Sequence, residues 1–316
     1  MNMFPKISVV MPCYNAERYI EAAISSVLDQ DWPQLEVVVV DDGSSDKSAE
    51  LVRNNFPGVK LIQQVNQGVA AARNNGILQA QGDWIAFLDA DDIWLQGKLR
   101  AQWNLLSGAP GARMAYTAWQ VWNSTDPVPL PEYLSALLDQ ASDAGRWTGP
   151  TGWIYPQLLL DCEVWTSTVL THRSILEEVG LFDTTLRIGE DYDLWLRASQ
   201  VSQILRVPRP YALYRMHASS ITKSVPEINH RNFVISRALN RWGYGSPDGT
   251  EARKIDVDRA LAKSWSDFGS AHLTVGNMTS ARLAGVRALR SDWRLISGWK
   301  VLLKAVARSL TSRSAD

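Results

Sequence analysis

The sequence is short of cysteine, of net charge and of long apolar runs, and each shortage excludes something. Two cysteines among 316 residues, Cys13 and Cys162, cannot build a disulfide framework, and neither sits in a closely spaced metal-binding pair. That usage fits a reducing, cytoplasmic compartment. With 32 Lys and Arg against 33 Asp and Glu, the net charge is −1, which gives no reason to expect nucleic acid as a partner. No stretch reaches the roughly 18 apolar residues of a membrane span. The opening "MNMFPKISVVMPCYN" has no apolar core of useful length and meets Pro12 early, so no signal peptide is expected. No internal repeat or low-complexity segment is visible. What is present is an ordinary globular composition, 46% hydrophobic, with 14 tryptophans that are candidates for core, interface or sugar-ring contacts.

The first 120 residues alternate between strand-like and helix-like patterns. "ISVVM" (7–11), the nearly continuous "LEVVVV" (35–40), a run at 59–63 and one at 84–88 read as strands. Between them lie helical periodicities. Asn15 is a candidate cap for the first, Ser44 or Ser45 for the second; an alanine-rich helix covers 68–79 and another lies near 95–106. Such alternation predicts an α/β fold with a mostly parallel central sheet flanked by helices. In such sheets ligands bind at the carboxyl ends of the strands. "MPCYN", "DDGSSD" and "DADD" all fall there. Residues 120–160, rich in Pro, Gly and Trp, read as an irregular excursion, and specificity is expected to be set over 120–165, including Trp147, Trp153 and Trp165. Helices are expected at 174–179 and 191–199, strands at 204–207 and 211–214, and a mostly helical extension after Asn229.

Each polar cluster has two readings. "DADD" places Asp89, Asp91 and Asp92 within four residues. They are either solvated acids capping the next helix, favoured by its dipole, or oxygen ligands for Mg²⁺ or Mn²⁺ with positions left open for phosphate. Asp41 and Asp42 make a turn, or offer a carboxylate to a base or ribose; Tyr14 can stack on a base. Arg73 is a surface residue or an anion contact. Glu190 and Asp191 complement a helix N-terminus or supply a catalytic acid or base. His217 is one of four histidines, structural or functional.

Taken in order, "SVVMPCYNAERYIEAAISSVLDQ", "EVVVVDDGSSD", "NQGVAAARNNGI", "GDWIAFLDADD", "EEVGLFD" with "GEDYDLWLR", and "YRMHASSIT" resemble glycosyltransferase family 2, enzymes of the GT-A fold. The resemblance runs from about Ile7 to Thr222. It implies a Rossmann-like catalytic domain over 1–228, with a nucleotide-binding half to about 120 and an acceptor half beyond, and a C-terminal helical extension over 229–316. It also implies roles. Pro12, Cys13 (through its backbone) and Tyr14 line a nucleotide pocket; Asp41 recognises the base, with Asp42 nearby; Arg73 reaches the nucleotide or the acids beside it. Asp89 faces the donor, Asp91 ligates a divalent metal with His217 close by, and Asp92 is a secondary candidate or a helix cap. Asp191 is the general base, with Glu190 as its partner.

The implied activity is inverting, metal-dependent transfer of one sugar from a nucleoside-diphosphate sugar to a hydroxyl of a glycan or lipid-linked acceptor. UDP is the expected nucleotide, and polysaccharide or cell-envelope biosynthesis the expected setting. Processive relatives carry a Gln-x-x-Arg-Trp motif; here "SRALNRW" has Arg241-Trp242 without the glutamine, so single transfers are expected. The alternatives are a non-catalytic sugar-nucleotide-binding module and a metal-dependent nucleotidyltransferase. The C-terminal "RLISGWKVLLKAVARSL" has Leu295, Ile296, Trp299, Leu302, Leu303, Val306 and Leu310 on one helical face, with Lys300, Lys304 and Arg308 beside it. It reads either as a helix packed on its domain or as an interfacial helix contacting the inner face of a membrane.

Overall fold

The computed structural model describes residues 4–140, 147–217 and 225–313. Its elements, in chain order, are β1 (Ile7–Cys13), α1 (Ile20–Leu28), β2 (Leu35–Asp41), α2 (Ser48–Asn55), β3 (Lys60–Gln63), α3 (Val69–Gln79), β4 (Trp84–Phe87), β5 (Ile93–Trp94), α4 (Lys98–Ser107), β6 (Ala112–Trp122) and α5 (Pro131–Gln140). There follow α6 (Tyr155–Leu158), a 3₁₀ turn (Thr166–Thr168), β7 (Leu170–His172), α7 (Arg173–Val179), α8 (Glu190–Ala198), β8 (Gln203–Arg215), α9 (His230–Trp242), α10 (Lys254–Thr274), α11 (Met278–Ser291) and α12 (Ile296–Arg313). Two compact units form: Met1–Ile154 with Glu163–His217, and Tyr155–Cys162 with Ala218–Asp316. The segment Tyr155–Cys162, expected in the first domain, thus groups with the C-terminal helices.

The first unit is built on one eight-stranded sheet in the order β3-β2-β1-β4-β7-β6-β8-β5. Pairing is parallel through β3, β2, β1 and β4, and again between β6 and β8; β7 and β5 run antiparallel to their neighbours. All seven residues of β1 are buried, as are the last five of β2. That is why these strands are nearly continuous apolar runs rather than alternating ones. Helix α3 sits hard against them. A Cβ at Gly76 would lie 2.4 Å from Val10 Cγ1, so only glycine permits this approach, and the approach delivers Arg73, one turn earlier, to the sheet's edge.

Several expected boundaries shift for identifiable reasons. Asn15 does not cap α1. It takes φ 49°, a left-handed conformation that asparagine tolerates, and Tyr19 is the cap residue. Asp46, not Ser44 or Ser45, accepts the Ser48 N–H at the start of α2. The two strands expected over 204–214 are one strand, β8, because a bulge absorbs Pro208 and Arg209: Val207 pairs with Thr117 and Pro210 with Ala118. Part of the expected excursion from 120 is the end of β6, followed by α5; its residues 141–146 lie outside those described, as does "ASSIT" up to Thr222. Trp147 is a core residue, clustered with Ile93, Trp122, Leu137 and Leu213.

The second unit packs α10, α11 and α12 closely. Leu273, Ala281, Val301 and Ala305 form its buried cluster. A Cβ at Gly285 would lie 2.9 Å from Leu302, so α11 and α12 meet almost backbone to backbone there. Among the described residues, no helix is long and apolar enough to cross a membrane.

Candidate active site

Three loops at the carboxyl edge of β1, β2 and β4 make the site. The first two are tied together. Asn15 Oδ1 accepts the Ser45 N–H at 2.8 Å, while the Asn15 N–H donates to Ser44 Oγ at 2.9 Å. The Glu17 N–H donates to Asp46 at 3.0 Å, and Glu17 in turn accepts the Lys47 N–H at 3.0 Å. Pro12 and Cys13 close β1. The Cys13 thiol is buried, and burial, with the nearby charges of Asp41 and Asp46, pushes it up to about 12. It is an inert apolar filler, which suits a backbone role for this position. Tyr14 is 55% exposed, with its ring open to a stacking partner.

Asp41 and Asp42 are both buried. Asp41 accepts the Ser44 N–H and the Gln63 amide, each at 3.2 Å. Asp42 is more fully engaged: it takes Gln64 Nε2, the Gln67 N–H and the Gly68 N–H at 2.8 to 2.9 Å. It therefore clamps the loop that leads into α3.

The three acids of "DADD" point to three different partners. Asp89 Oδ1 accepts from Arg73 Nη2 at 2.7 Å. Asp91 Oδ2 lies 2.9 Å from His217 Nε2. Asp92 is 1% exposed and takes Ser167 Oγ at 2.6 Å and the Arg215 N–H at 3.0 Å. It does not cap α4, which starts six residues later at Lys98; it is a buried link between β8 and the 3₁₀ turn. Burial and the neighbouring charges of Asp91 and Asp89 raise its pKa well above the carboxylate range. Burial also raises Asp89, against the opposing pull of Arg73. The side chains of Asp91 and Asp89 keep 32% and 24% of their surface open, so these two are the accessible acids of the three.

Arg73 is the hub. Its second arm, Nη1, donates to Glu190 Oε1 at 2.7 Å, and its plane lies over Phe182. Burial alone would depress its pKa, but Asp89 and Glu190 hold it above the usual arginine value. Through this one guanidinium the N-terminus of α8 is fastened to the acidic end of β4. Glu190 is buried; burial first, then the Asp191 charge, pushes it up to about 7, against Arg73. Asp191 is the more open of the two. Its Oδ2 accepts from Thr166 Oγ1 at 2.9 Å and its Oδ1 from the Tyr192 N–H at 2.7 Å.

The structure thus brings Arg73, Asp89, Asp91, Glu190, Asp191 and His217 into one linked group. Asp41 and Asp42 stand at the end of β2 beside it, and Pro12, Cys13 and Tyr14 at the end of β1. Three residues were not singled out in the sequence. Thr166 orients Asp191. Ser167 binds Asp92 and also accepts the Asp89 N–H at 3.2 Å. Arg215 is fully buried, donates from Nε to the Asp91 carbonyl at 2.7 Å and stacks on Tyr19 and Trp122. The only signal for Arg215 was its place in "YRMH"; "TST" carried none.

Among the described residues, no three His, Cys, Asp or Glu side chains converge into a ready-made metal cage. The Asp91–His217 pair still suits a hard dication. One carboxylate oxygen and one imidazole nitrogen at 2.9 Å, partly open, leave most coordination positions to water and phosphate oxygens, as Mg²⁺ and Mn²⁺ sites commonly do.

The sequence pattern described as Glycosyl transferase family 2 matches residues 8–124. The chain is 31% identical over 222 residues to an Escherichia coli protein, UDP-Glc:alpha-D-GlcNAc-diphosphoundecaprenol beta-1,3-glucosyltransferase WfgD, covering 69% of this chain and 80% of that one. The chain belongs to glycosyltransferase family 2. The family 2 chain also spans 44% and 37% of two uncharacterized glycosyltransferases, from Haemophilus influenzae and Rickettsia conorii. In fold it is similar to S. aureus TarS 1–349, solved in complex with UDP-GlcNAc (TM-score 0.56, 18% identity, 98% of this chain and 92% of that one). It is also similar to the mannosyltransferase PcManGT from Pyrobaculum calidifontis, solved with GDP-Man and Mn²⁺ (TM-score 0.54, 19% identity, 97% and 87%). These likenesses establish the GT-A type of fold for this glycosyltransferase.

Proposed function

We propose that this glycosyltransferase moves one sugar from a UDP-sugar to a hydroxyl of a lipid-linked or glycan acceptor, with inversion, in the building of a polysaccharide or cell-envelope glycan. The observation that carries the reading is the Arg73 bridge, which fastens the Asp191-bearing end of α8 beside the acidic end of β4. In-line displacement requires a base and a diphosphate-binding group held within one site, and the bridge joins the elements that carry them.

In this reading the Asp191 carboxylate, held by Thr166 and its own helix N-terminus, takes the proton of the acceptor hydroxyl. The acceptor oxygen bonds to the anomeric carbon as the bond from that carbon to the diphosphate oxygen breaks. One displacement inverts the anomeric configuration. Glu190, pushed up to about 7 by burial and the Asp191 charge, is held beside Asp191 by Arg73. Asp91 and His217 would hold a divalent cation, Mn²⁺ or Mg²⁺, which when bound neutralises charge on the leaving diphosphate. Tyr14 and Asp41 would receive the base and ribose. UDP as the nucleotide is supported by the donors in the names of WfgD and of the TarS complex, and the lipid-linked acceptor by the diphosphoundecaprenol in the name of WfgD. The manganese in the PcManGT complex supports the metal.

The test is Asp191→Asn. Donor binding should persist while transfer falls by two or more orders of magnitude, the usual range for a lost general base. A transfer rate within a few-fold of wild type would remove Asp191 from this role. Donor hydrolysis by the wild-type chain with Mn²⁺, suppressed by EDTA, separates an enzyme from a binding module.

A further inference from the structure

Helix α12 has two apolar faces, and only one is used. Val301 and Ala305 are buried in the helical unit, and Leu302 packs at Gly285. A second row, Ile296, Trp299, Leu303, Val306 and Leu310, recurs at spacings of three and four. These side chains are 39 to 70% exposed, as is Trp293 at 67% just before the helix. At 100° per residue, Lys300 and Lys304 follow this row along the edge away from the packed face, and both are exposed. A continuous exposed apolar row of this kind marks an interaction surface.

Charge says what it fits. Residues 276–316 hold eight Lys and Arg against two Asp and Glu, while the first 275 hold 24 against 31. The near-zero net charge of the chain hides a basic end on an acidic body. Arg294, exposed just before the helix, lies over the Trp293 ring. Trp299 donates its indole N–H to the Trp293 backbone carbonyl at 2.9 Å, which ties its ring to the start of the helix. Indoles flanked by cations above an aliphatic row match the layering of a lipid headgroup region over acyl chains.

We propose that this face of α12, with Trp293, docks on an anionic lipid bilayer, lying in its surface. The assignment stands apart from the transfer reaction, because vesicle binding needs no turnover. It would hold an enzyme with a lipid-linked acceptor at the surface where that acceptor resides.

The experiment is co-sedimentation of the full chain with vesicles of phosphatidylcholine alone or mixed with phosphatidylglycerol. Binding is expected to the mixed vesicles and to fall with added salt. Trp299→Ser with Leu303→Ser and Leu310→Ser, all exposed, should reduce it at least tenfold. Lys300→Gln with Lys304→Gln should reduce it about fivefold per lysine and flatten the dependence on phosphatidylglycerol. Should the triple variant misfold, quenching of tryptophan fluorescence by brominated lipid, read on wild type against Trp293→Phe with Trp299→Phe, gives the same answer. Wild type that ignores anionic vesicles, variants that bind as wild type does, or a dimer that the triple variant dissolves without any vesicle binding would each overturn the proposal.

Discussion

Arg73 and Glu190, 117 residues apart in sequence, meet at 2.7 Å with both side chains buried, and the other arm of the same guanidinium holds Asp89. A buried Glu190 and a half-buried Asp89 from distant elements are tolerable together because one buried cation lies between them. Arg73→Met should therefore cost about 3–5 kcal/mol of unfolding free energy, the range for stripping a buried charge of its partner. Urea unfolding measures it. Arg73→Lys should recover only part of this, since an ammonium cannot reach both acids as a planar fork does.

The pH dependence of stability should carry the mark of Glu190. Its pKa in the fold, about 7, lies above its ordinary 4.5 because burial disfavours the charge. A raised folded-state pKa means the stabilisation is complete below 4.5 and is lost as pH climbs through 7. Wild type should thus lose up to about 3 kcal/mol relative to Glu190→Gln between these limits. Parallel urea titrations of the two proteins give the difference. A difference that stays flat across this window would contradict the placement of Glu190.

Thr166→Val preserves shape but removes the hydrogen bond to Asp191. Transfer kcat should fall about tenfold, the worth of one such bond to a charged group, with donor KM unchanged. Ser167→Ala is the contrasting variant: it frees Asp92 and the Asp89 N–H, and so should raise donor KM as well.

Asp91→Asn and His217→Ala should each weaken Mn²⁺-supported donor binding by 10- to 100-fold, roughly the effect of losing a metal ligand or its close partner. Calorimetry with and without EDTA checks this, because binding of the nucleotide in EDTA should be little altered.

Thiol chemistry offers a simple check on the first loop. Cys162 is exposed and Cys13 buried with its thiol pushed up to about 12. At pH 8 a thiol reagent should label one cysteine in the native protein and two in denaturant. Rapid native labelling of Cys13 would mean that this loop opens.

Much of this was legible in the sequence where one residue sufficed to mark a role. β1, β2 and β4 announced themselves as apolar runs, and the acids after β2 and β4 marked the carboxyl edge of the sheet. What the sequence concealed was partnership. Asp92 reads like its neighbours, yet the antiparallel return of β8 brings the Arg215 backbone to it and buries it. Arg215 looks like any basic residue in a strand until its contacts with the Tyr19 and Trp122 rings are seen. Thr166 and Ser167 gave no pattern at all, since Ser167 meets Asp92 and Asp89 from 75 and 78 residues away and Thr166 meets Asp191 25 residues later. The second apolar row of α12 was visible as periodicity. Which row was spent on packing could be told only from the approach at Gly285.

The reciprocal bonds between the loops after β1 and β2 have a consequence for anyone wishing to retune the donor. Asn15 and Ser45, and Glu17 and Lys47, are teeth of a single latch. Exchanging one loop for that of a relative leaves half the teeth without a mate, so under the proposed donor role a change of nucleotide preference calls for transplanting residues 13–17 and 41–48 as one cassette.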